Sequence, residues 1–301
     1  MGKNLLSLSF LFLSICYSEI GYPGFHSWTS PSRMALGGSG HLSWSPLSSS
    51  NNPSTISEKK IFSTGLIRYP AGITSQNFAT NFPVKYGYAG ISIYHLSYGS
   101  FDGYDHNSNP TRDYYSSDTW IKTKFSNNNN SSTLKYGSAI TLFSSNLDTD
   151  RIRALLVSAG AQIHINKINT FIGIGIKDFK LIANKFAERA GVFTHRTTLS
   201  LSKNLLYLPM KIFIDAEFFS TFNKGNIYIG GQANITSSIQ FLFGTSTKKI
   251  DHNINQDLWK TVFGASGFGI VYNIGETKII YGAYVFGTGV IQQGIELEIT
   301  F

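Results

Sequence analysis

The chain has 301 residues, of which 42% are hydrophobic, 14% are aromatic and only 14% are charged. A typical soluble domain is about 25% charged, so this chain is poor in charge, yet it is too apolar and aromatic to be disordered. The single cysteine excludes a disulfide scaffold and a structural zinc site built on cysteines. The net charge of +8 favours anionic surfaces such as lipid head groups but identifies no partner.

The N-terminus has the pattern of an export signal. Lys3 precedes an apolar run over residues 5–16, and small residues at Cys16 and Ser18 suit a cleavage site after Ser18. The run is too short for a spanning helix, which needs about 20 apolar residues. The sequence therefore predicts a signal peptide over residues 1–18. Lipid attachment at Cys16 is the alternative, although Ile15 stands where a lipobox requires a small residue.

Beyond this segment, runs of about ten residues alternate between apolar and polar side chains, with polar turns between them. In the run 208–218 the even positions are apolar, and in the run 291–301 the odd positions are mostly apolar. Successive side chains on a strand point to opposite faces, so one face suits lipid and the other a polar lumen. Five residues on the polar face are predicted to line the lumen: Lys211, Asp215, Glu217, Glu296 and Glu298.

This periodicity predicts an all-β protein, a transmembrane antiparallel β-barrel of about 14 strands in the outer membrane. Aromatic residues near the strand ends, such as Tyr86, Tyr94 and Tyr284, suit the aromatic girdles of such a barrel. Residues 19–57 are rich in Ser, Gly, Pro and Trp without strand periodicity, which predicts an N-terminal plug in the lumen, followed by the barrel over 58–301. The predicted strands are 61–69, 73–80, 83–99, 119–126, 133–146, 151–166, 169–179, 194–204, 207–220, 225–236, 238–248, 259–274, 277–287 and 290–301. The predicted loops are 100–118, 127–132, 181–193 and 249–258.

Several segments resemble the PorV/PorQ family of FadL-like outer-membrane barrels. Residues 32–57 carry Gly37-Gly38 and then Asn52-Pro53, as the opening of that family does. The Gly-rich segment 264–273 and the closing segment 279–301, which ends in Phe, also fit the family. The segment 194–218 is closer to the PorQ branch. The resemblance implies a barrel of the Bacteroidetes type that acts in type IX secretion or in surface attachment of secreted proteins.

The partner implied by this resemblance is a secreted protein or a component of a surface sortase complex, in addition to outer-membrane lipid. Aromatic side chains and arginine are favoured at protein interfaces, and loop 100–118 combines both. The candidate docking residues are Phe101, Tyr104, Arg112, Tyr114 and Tyr115. The alternatives are a loop that only caps the barrel, a FadL-like transporter of hydrophobic solutes, and a purely structural surface barrel.

No catalytic or nucleotide-binding motif occurs in the sequence. The carboxylate pairs Asp215/Glu217 and Glu296/Glu298 could in principle do acid–base chemistry, but a polar barrel interior explains them better. His106 with Asp102, Asp105 and Asp113 could hold a divalent cation, although a solvated loop has the same composition. Basic residues are dispersed, which argues against nucleic acid. We therefore expect no enzymatic activity, no cofactor and no resident metal.

Overall fold

A computed structural model describes residues 27–43, 45–127, 133–147, 150–184, 195–219, 225–251, 263–286 and 289–301. The predicted signal peptide and the start of the predicted plug lie outside these residues. Within them, fourteen strands form one closed antiparallel barrel, which confirms the predicted fold class. The strands are β1 (Ile61–Arg68), β2 (Thr74–Val84), β3 (Gly87–Phe101), β4 (Tyr114–Asn127), β5 (Leu134–Leu147), β6 (Asp150–Ile165), β7 (Thr170–Ala183), β8 (Arg196–Asn204), β9 (Met210–Phe219), β10 (Gly225–Asn234), β11 (Ile239–Ser246), β12 (Ser266–Ile274), β13 (Thr277–Val285) and β14 (Ile291–Thr300).

Each strand pairs with its neighbours in sequence, and the barrel closes where β1 pairs with β14, from Ile61 opposite Thr300 to Arg68 opposite Gln293. Among the residues described, two short helices accompany the strands, α1 (Pro31–Ala35) and α2 (Lys248–Asp251). Single 3₁₀ turns occur at Ser48–Ser50, Pro53–Thr55, Pro70–Gly72 and Asn166–Ile168. No helix among the described residues is long and apolar enough to cross a membrane.

The barrel wall has an apolar outer face and a polar inner face. On β14, Ile295 is 57% exposed on the outside, whereas the adjacent Glu296 is fully buried in the lumen. Not every aromatic residue at a strand end belongs to a girdle: Tyr94 and Tyr284 point inward and are buried, while Tyr86 lies exposed on the outside. The inward tyrosines instead pack against the plug, because the Tyr94 hydroxyl donates to the Leu47 carbonyl.

The two ends of the barrel differ. At the end where β1 begins and β14 ends, here called the turn end, the strands are joined by short segments such as 85–86 and 275–276. At the opposite end, called the loop end, the linking segments include 102–113, 184–195 and 247–265. Outer-membrane barrels have short periplasmic turns and longer extracellular loops. On this pattern we expect the loop end to face outside.

The wall is also uneven in height. Strands β3 to β7 have 14 to 16 residues, whereas β8 to β14 have 8 to 10. The extra length lies at the loop end, because β7 continues from Asp178 to Ala183 beyond its last pairing with Arg196 of β8. The pairing of β6 with β7 shifts register twice in this region, and Asp178 has a positive φ of 57°. Such bulges bend a strand locally.

Residues 27–43 and 45–57 form a plug inside the barrel, as the sequence predicts. Trp28 lies near the loop end, where its backbone N–H donates to the Tyr69 hydroxyl at 2.8 Å. The plug then leaves the lumen at the turn end, where the chain enters β1. The N-cap Ser30 accepts from the Arg33 N–H and so starts α1. Glycines make room for this helix, because a Cβ on Gly267 would collide with the carbonyl oxygen of Met34.

The prediction that 100–118 is one loop is wrong at both ends. Strand β3 continues to Phe101 and β4 begins at Tyr114, and these two rings stack with centroids 5.4 Å apart. The pairing of Phe101 with Tyr114 extends the hairpin because their aromatic side chains pack across the strands. Only residues 102–113 form the loop.

Candidate functional site

A cluster of buried ions occupies the loop-end half of the lumen. Glu217 accepts from the Lys177 amine at 3.1 Å and lies 3.4 Å from the Arg196 guanidinium. Arg196 also pairs with Asp178, the residue at the bulge of β7. The Tyr228 hydroxyl donates to Glu217 at 3.3 Å. Four neighbouring strands, β7 to β10, therefore contribute to one ionic network, whose members are screened little by solvent.

The plug is part of this network. The Arg33 guanidinium donates to the Asn51 side-chain oxygen at 2.8 Å and to the Gly38 carbonyl at 3.0 Å, and it contacts the His41 Nε2. Lys177 of β7 donates to the same Asn51 oxygen at 3.1 Å. Burial holds the pKa of His41 well below its usual value, and the neighbouring Arg33 charge adds to this. His41 is therefore neutral, so Nε2 can accept from Arg33.

Two of the predicted lumen carboxylates bind the plug directly. Asp215 accepts from the backbone N–H of Gly40 at 2.6 Å and of His41 at 3.3 Å. Glu296 accepts from the backbone N–H of Ser32 at 3.3 Å and from the hydroxyl groups of Ser45 and Ser63. These carboxylates lie on β9 and β14, five strands apart around the wall. Together they hold the plug at two points.

The remaining predicted lumen residues lie at the turn end. Glu298 is buried and accepts from the Lys278 amine at 2.6 Å. The Lys211 amine lies 5.1 Å from the centroid of the Phe213 ring, which allows a cation–π contact. Arg196 pairs with Glu217, whereas Lys211 lies over an aromatic ring.

The plug leaves a cavity on each side. The loop-end cavity, of about 60 Å³, is narrow and lies against the ionic cluster. It is lined by the aromatic residues Trp28, Tyr94 and Trp120 and by charged residues that include Arg33, Lys122 and Asp178. Its size suits water molecules or a small polar group.

The turn-end cavity is much larger, at about 510 Å³. Polar residues surround its opening, among them Lys59, Glu276 and Lys278. Polar side chains such as Ser43, Gln232 and Gln240 also line the cavity itself. One part of its wall is apolar. This part, here called the apolar wall, consists of Leu36 from the plug with Phe213, Leu242, Val271 and Ile280 from β9, β11, β12 and β13.

Comparison with known proteins agrees with the architecture. No protein-family model and no curated protein sequence matches the chain. Among solved structures, the toluene transporter TbuX of Ralstonia pickettii superposes with a TM-score of 0.55 and 13% identity, over 91% of this chain and 98% of that one. The toluene transporter TodX of Pseudomonas putida gives a TM-score of 0.50 and 11% identity, over 95% of this chain and 98% of that one.

At such low identity these similarities show the fold alone. A TodX deletion variant, described as a monoaromatic hydrocarbon channel, gives a TM-score of 0.51 at 12% identity, over 93% of this chain and 97% of that one. The chain thus shares the closed-barrel fold of these structures. The narrower PorV/PorQ assignment, and the function it implied, stay proposals.

The candidate docking residues do not form one patch within a loop. Tyr104 and Arg112 lie in the loop proper, where Tyr104 is 62% exposed and forms an isolated bridge with Pro110. Tyr115 is exposed on the outer side of β4, while Phe101 and Tyr114 stack on each other. The structure thus places the five residues around the loop-end rim of the β3–β4 hairpin.

The acidic residues of this loop have a structural explanation. Asp105 accepts from the backbone N–H groups of Asn107 and Asn109 at 2.8 and 2.9 Å and from the Asn109 side chain. These hydrogen bonds, the Asn109 side chain first, lower the pKa of Asp105. Among the described residues, no group of three or more His, Cys, Asp or Glu side chains is placed to hold a metal ion.

The sequence analysis missed the apolar wall. On β9 the alternation that placed Ile212 and Ile214 outside also puts Phe213 inside, between Lys211 and Asp215. Because the lumens of outer-membrane barrels are polar, an apolar residue at an inward position of a strand can be recognised in the sequence as unusual. The convergence of four such residues from β9, β11, β12 and β13 depends on register, which the sequence does not show.

Proposed function

We propose that the barrel carries hydrophobic solutes across the outer membrane. The observation that carries this proposal is the apolar wall of the turn-end cavity. Inward positions of outer-membrane barrels are usually polar, yet Phe213, Leu242 and Val271 face this cavity. Its volume of about 510 Å³ lies in the range of roughly 300–1,000 Å³ typical of small-molecule sites.

The comparisons support the same proposal without proving it. TbuX and TodX are described as toluene transporters, and they share this fold over nearly their whole lengths. One fold can serve unrelated functions, so the cavity, and not the similarity of fold, carries the transporter proposal. The two observations together favour a transporter over a barrel that is purely structural.

Transport through the lumen requires the plug to move. The contacts of Asp215 with Gly40 and His41 and of Glu296 with Ser32 hold the closed arrangement. Each is a charge-assisted hydrogen bond to a backbone N–H, of the kind worth about 1.5–3 kcal/mol. A solute in the turn-end cavity would contact Leu36, which adjoins these plug residues, so binding and release of the plug can be coupled.

The proposal is tested by measuring entry of the fluorescent hydrophobic probe N-phenyl-1-naphthylamine into cells that produce the protein. Leu242→Asn keeps the side-chain size while making the apolar wall polar. We expect the protein-dependent entry rate to fall about tenfold, because the probe loses apolar contact worth on the order of 1–2 kcal/mol. Leu242→Met, which keeps the wall apolar, is the matched control and should stay near the wild-type rate.

Both variants must first be shown to fold, by the heat-dependent shift in gel mobility that is typical of folded barrels. Entry that is equal in wild type, Leu242→Asn and cells without the protein would contradict the transporter proposal. Equal loss in the asparagine and methionine variants would assign the effect to packing of the plug instead of solute recognition.

A second candidate function is type IX secretion or surface attachment of secreted proteins, proposed from the resemblance of residues 32–57, 194–218 and 264–301. The observation that favours it is the exposed rim of the β3–β4 hairpin, where Tyr104 is 62% and Tyr115 is 73% exposed. Exposed aromatic side chains beside an arginine suit a protein–protein contact. The proposed partner is a secreted or sortase-complex protein.

Removing residues 103–112 tests this second candidate while leaving β3 and β4 intact. We expect a docking partner to be lost from pull-downs out of native membranes, with heat-modifiable folding and probe entry unchanged. Retention of all co-purifying proteins after the deletion would remove the hairpin rim as a docking site.

Both candidate functions require export, which we propose is directed by the signal peptide over residues 1–18. Intact-mass analysis of protein from outer membranes should show a chain that begins at Glu19 and carries no acyl group. A mass that includes acyl chains on Cys16 would make the protein a lipoprotein instead.

A further inference from the structure

The outer surface of the tall wall carries a second, separate cavity. It is a groove of about 470 Å³ on the outside of β4 to β7. Its apolar lining includes Ile121, Leu142, Leu155 and Ile182, and the side chain of Arg153 also contributes. Ile121, Leu142 and Ile182 are 43%, 56% and 66% exposed, so the groove is open to the surroundings of the barrel and not to the lumen.

The groove arises where β6 and β7 lose regular pairing. The register shifts between Leu155 and Leu156 and again between Val157 and Ala159. Bulges increase the local twist of a strand and bend it. The two shifts lie beside Leu155 of β6 and Ile182 of β7, which pair with each other and both line the groove.

The outward side chains of β5 and β6 indicate the level of the membrane at which the groove lies. On β5 the outward residues Ile140 and Leu142 are apolar, and the next outward residue toward the loop end is Ser144. On β6 the corresponding step is from Leu155 to Arg153. On these two strands the outward side chains change from apolar to polar at this level, as is expected at the outer boundary between hydrocarbon and head groups.

Positive charge lies directly above the apolar lining. Arg151 and Arg153 are both exposed on the outer side of β6, and neither forms an ion pair with a described side chain. Asn184 fixes the backbone that carries them, because its side chain donates to the Arg151 carbonyl at 2.6 Å and accepts from the Arg153 N–H at 3.3 Å. Arg153 lines the groove, and Arg151 is the next outward residue of β6 toward the loop end.

We propose that this groove binds an outer-leaflet lipid with a phosphorylated head group. One acyl chain lies along Ile121, Leu142 and Leu155, and the phosphate accepts hydrogen bonds from Arg151 and Arg153. Arginine suits phosphate because its planar group donates two parallel hydrogen bonds. The occupant is a lipid and not a protein, because apolar lining and positive charge meet at the level where acyl chain and phosphate meet in the membrane.

The test is native mass spectrometry of the full-length barrel in detergent, titrated with diphosphoryl lipid A and, separately, with a neutral diacylglycerol. We expect lipid A to be retained and diacylglycerol to be lost. The double variant Arg151→Gln, Arg153→Gln should weaken lipid A retention about tenfold or more, because two charge-assisted contacts are removed. The double variant with lysine at both positions should keep most of the affinity.

Arg68 provides a matched control. It is an exposed arginine at the loop end of β1, on the short part of the wall, and it does not line the groove. Arg68→Gln should leave lipid A retention unchanged. Equal retention by wild type and the double glutamine variant, or an equal loss in Arg68→Gln, would overturn the proposal. Equal retention of lipid A and diacylglycerol would also overturn it, since the phosphate would then contribute nothing.

Discussion

The two halves of the lumen hold the plug in different ways. Toward the loop end, Arg33 of the plug lies among the buried ions Lys177, Arg196 and Glu217. Toward the turn end, Leu36 packs on an apolar wall that also borders a large cavity. Ionic hydrogen bonds are directional and fix one geometry, whereas apolar contact is not directional. The loop-end half therefore fixes the position of the plug, and the turn-end half is free to accept a solute.

The largest effect that separates the two halves is the loss of a buried charge. Glu217→Ala leaves Lys177 and Arg196 without one of their carboxylates in a buried site, so we expect a loss of about 3–5 kcal/mol in the free energy of unfolding. Lys278→Ala removes the half-exposed partner of Glu298, whose carboxylate lines the turn-end cavity, and should cost less than Glu217→Ala. Urea titrations of both variants in lipid vesicles provide the measurement.

Equal losses in these two variants would show that the loop-end cluster is as accessible to water as the turn-end cavity. A gain in stability in Glu217→Ala would mean that the cations are neutralised by another group. Either result would contradict the division of the lumen drawn above.

The next effect tests which side of β9 faces lipid, on which the assignment of Phe213 to the apolar wall depends. Ile214 is 41% exposed on the outer face. Ile214→Arg should cost about 2–4 kcal/mol if it lies near the bilayer midplane. Lys211→Arg, on the inner face of the same strand, should be nearly silent. Similar losses at both positions, measured by folding into vesicles, would mean that the register of β9 is wrong.

A smaller effect tests whether close packing seats the plug between its two halves. Gly267→Val would drive a side chain into the Met34 carbonyl of α1, and overpacking of this kind costs about 1–3 kcal/mol. We expect the plug to loosen, which should raise the single-channel conductance in planar bilayers. Ala159→Val adds similar bulk on the exposed outer face of β6 and should leave the conductance unchanged. Unchanged conductance in Gly267→Val would show that the plug tolerates displacement of α1.

The barrel was predictable because a strand is identified by an alternation of side chains that is local in the sequence. Alternation of side chains along β9 and β14 identified the strands and the inward position of Asp215 and Glu296, since period two depends only on neighbouring residues. The plug contacts were not predictable. Asp215 reaches Gly40 across 175 positions of sequence, and nothing in the sequence near either residue encodes that meeting.

The predicted boundaries of loop 100–118 were wrong for a related reason. Residues 100–118 contain Gly, Asn, Asp and Pro, which are typical of turns, and this composition hid the strand ends at Phe101 and Tyr114. Packing of these two rings across the hairpin extends the pairing. Tertiary contact therefore overrode the local preference, as it did at the inward tyrosines Tyr94 and Tyr284.

The last prediction concerns pH and the loop-end half alone. His41 has a lowered pKa in the folded protein, mainly through burial, so below its ordinary pKa of about 6.5 the unfolded chain binds a proton that the folded chain does not. Stability should therefore fall as pH drops below about 6.5, by at most about 1.4 kcal/mol per pH unit from this group. Arg33, Lys177 and Arg196 oppose its protonation, whereas Asp215 and Glu217 favour it.

Because lumen carboxylates also titrate on acidification, the informative quantity is the difference between wild type and His41→Gln. The variant keeps a hydrogen-bond acceptor for Arg33 but cannot take up a proton. Unfolding free energies measured in vesicles from pH 7 to pH 5 should decline more steeply in wild type than in His41→Gln. Parallel declines would show that His41 is protonated as easily in the plug as in the unfolded chain, and the loop-end half would then be open to water and protons like the cavity below it.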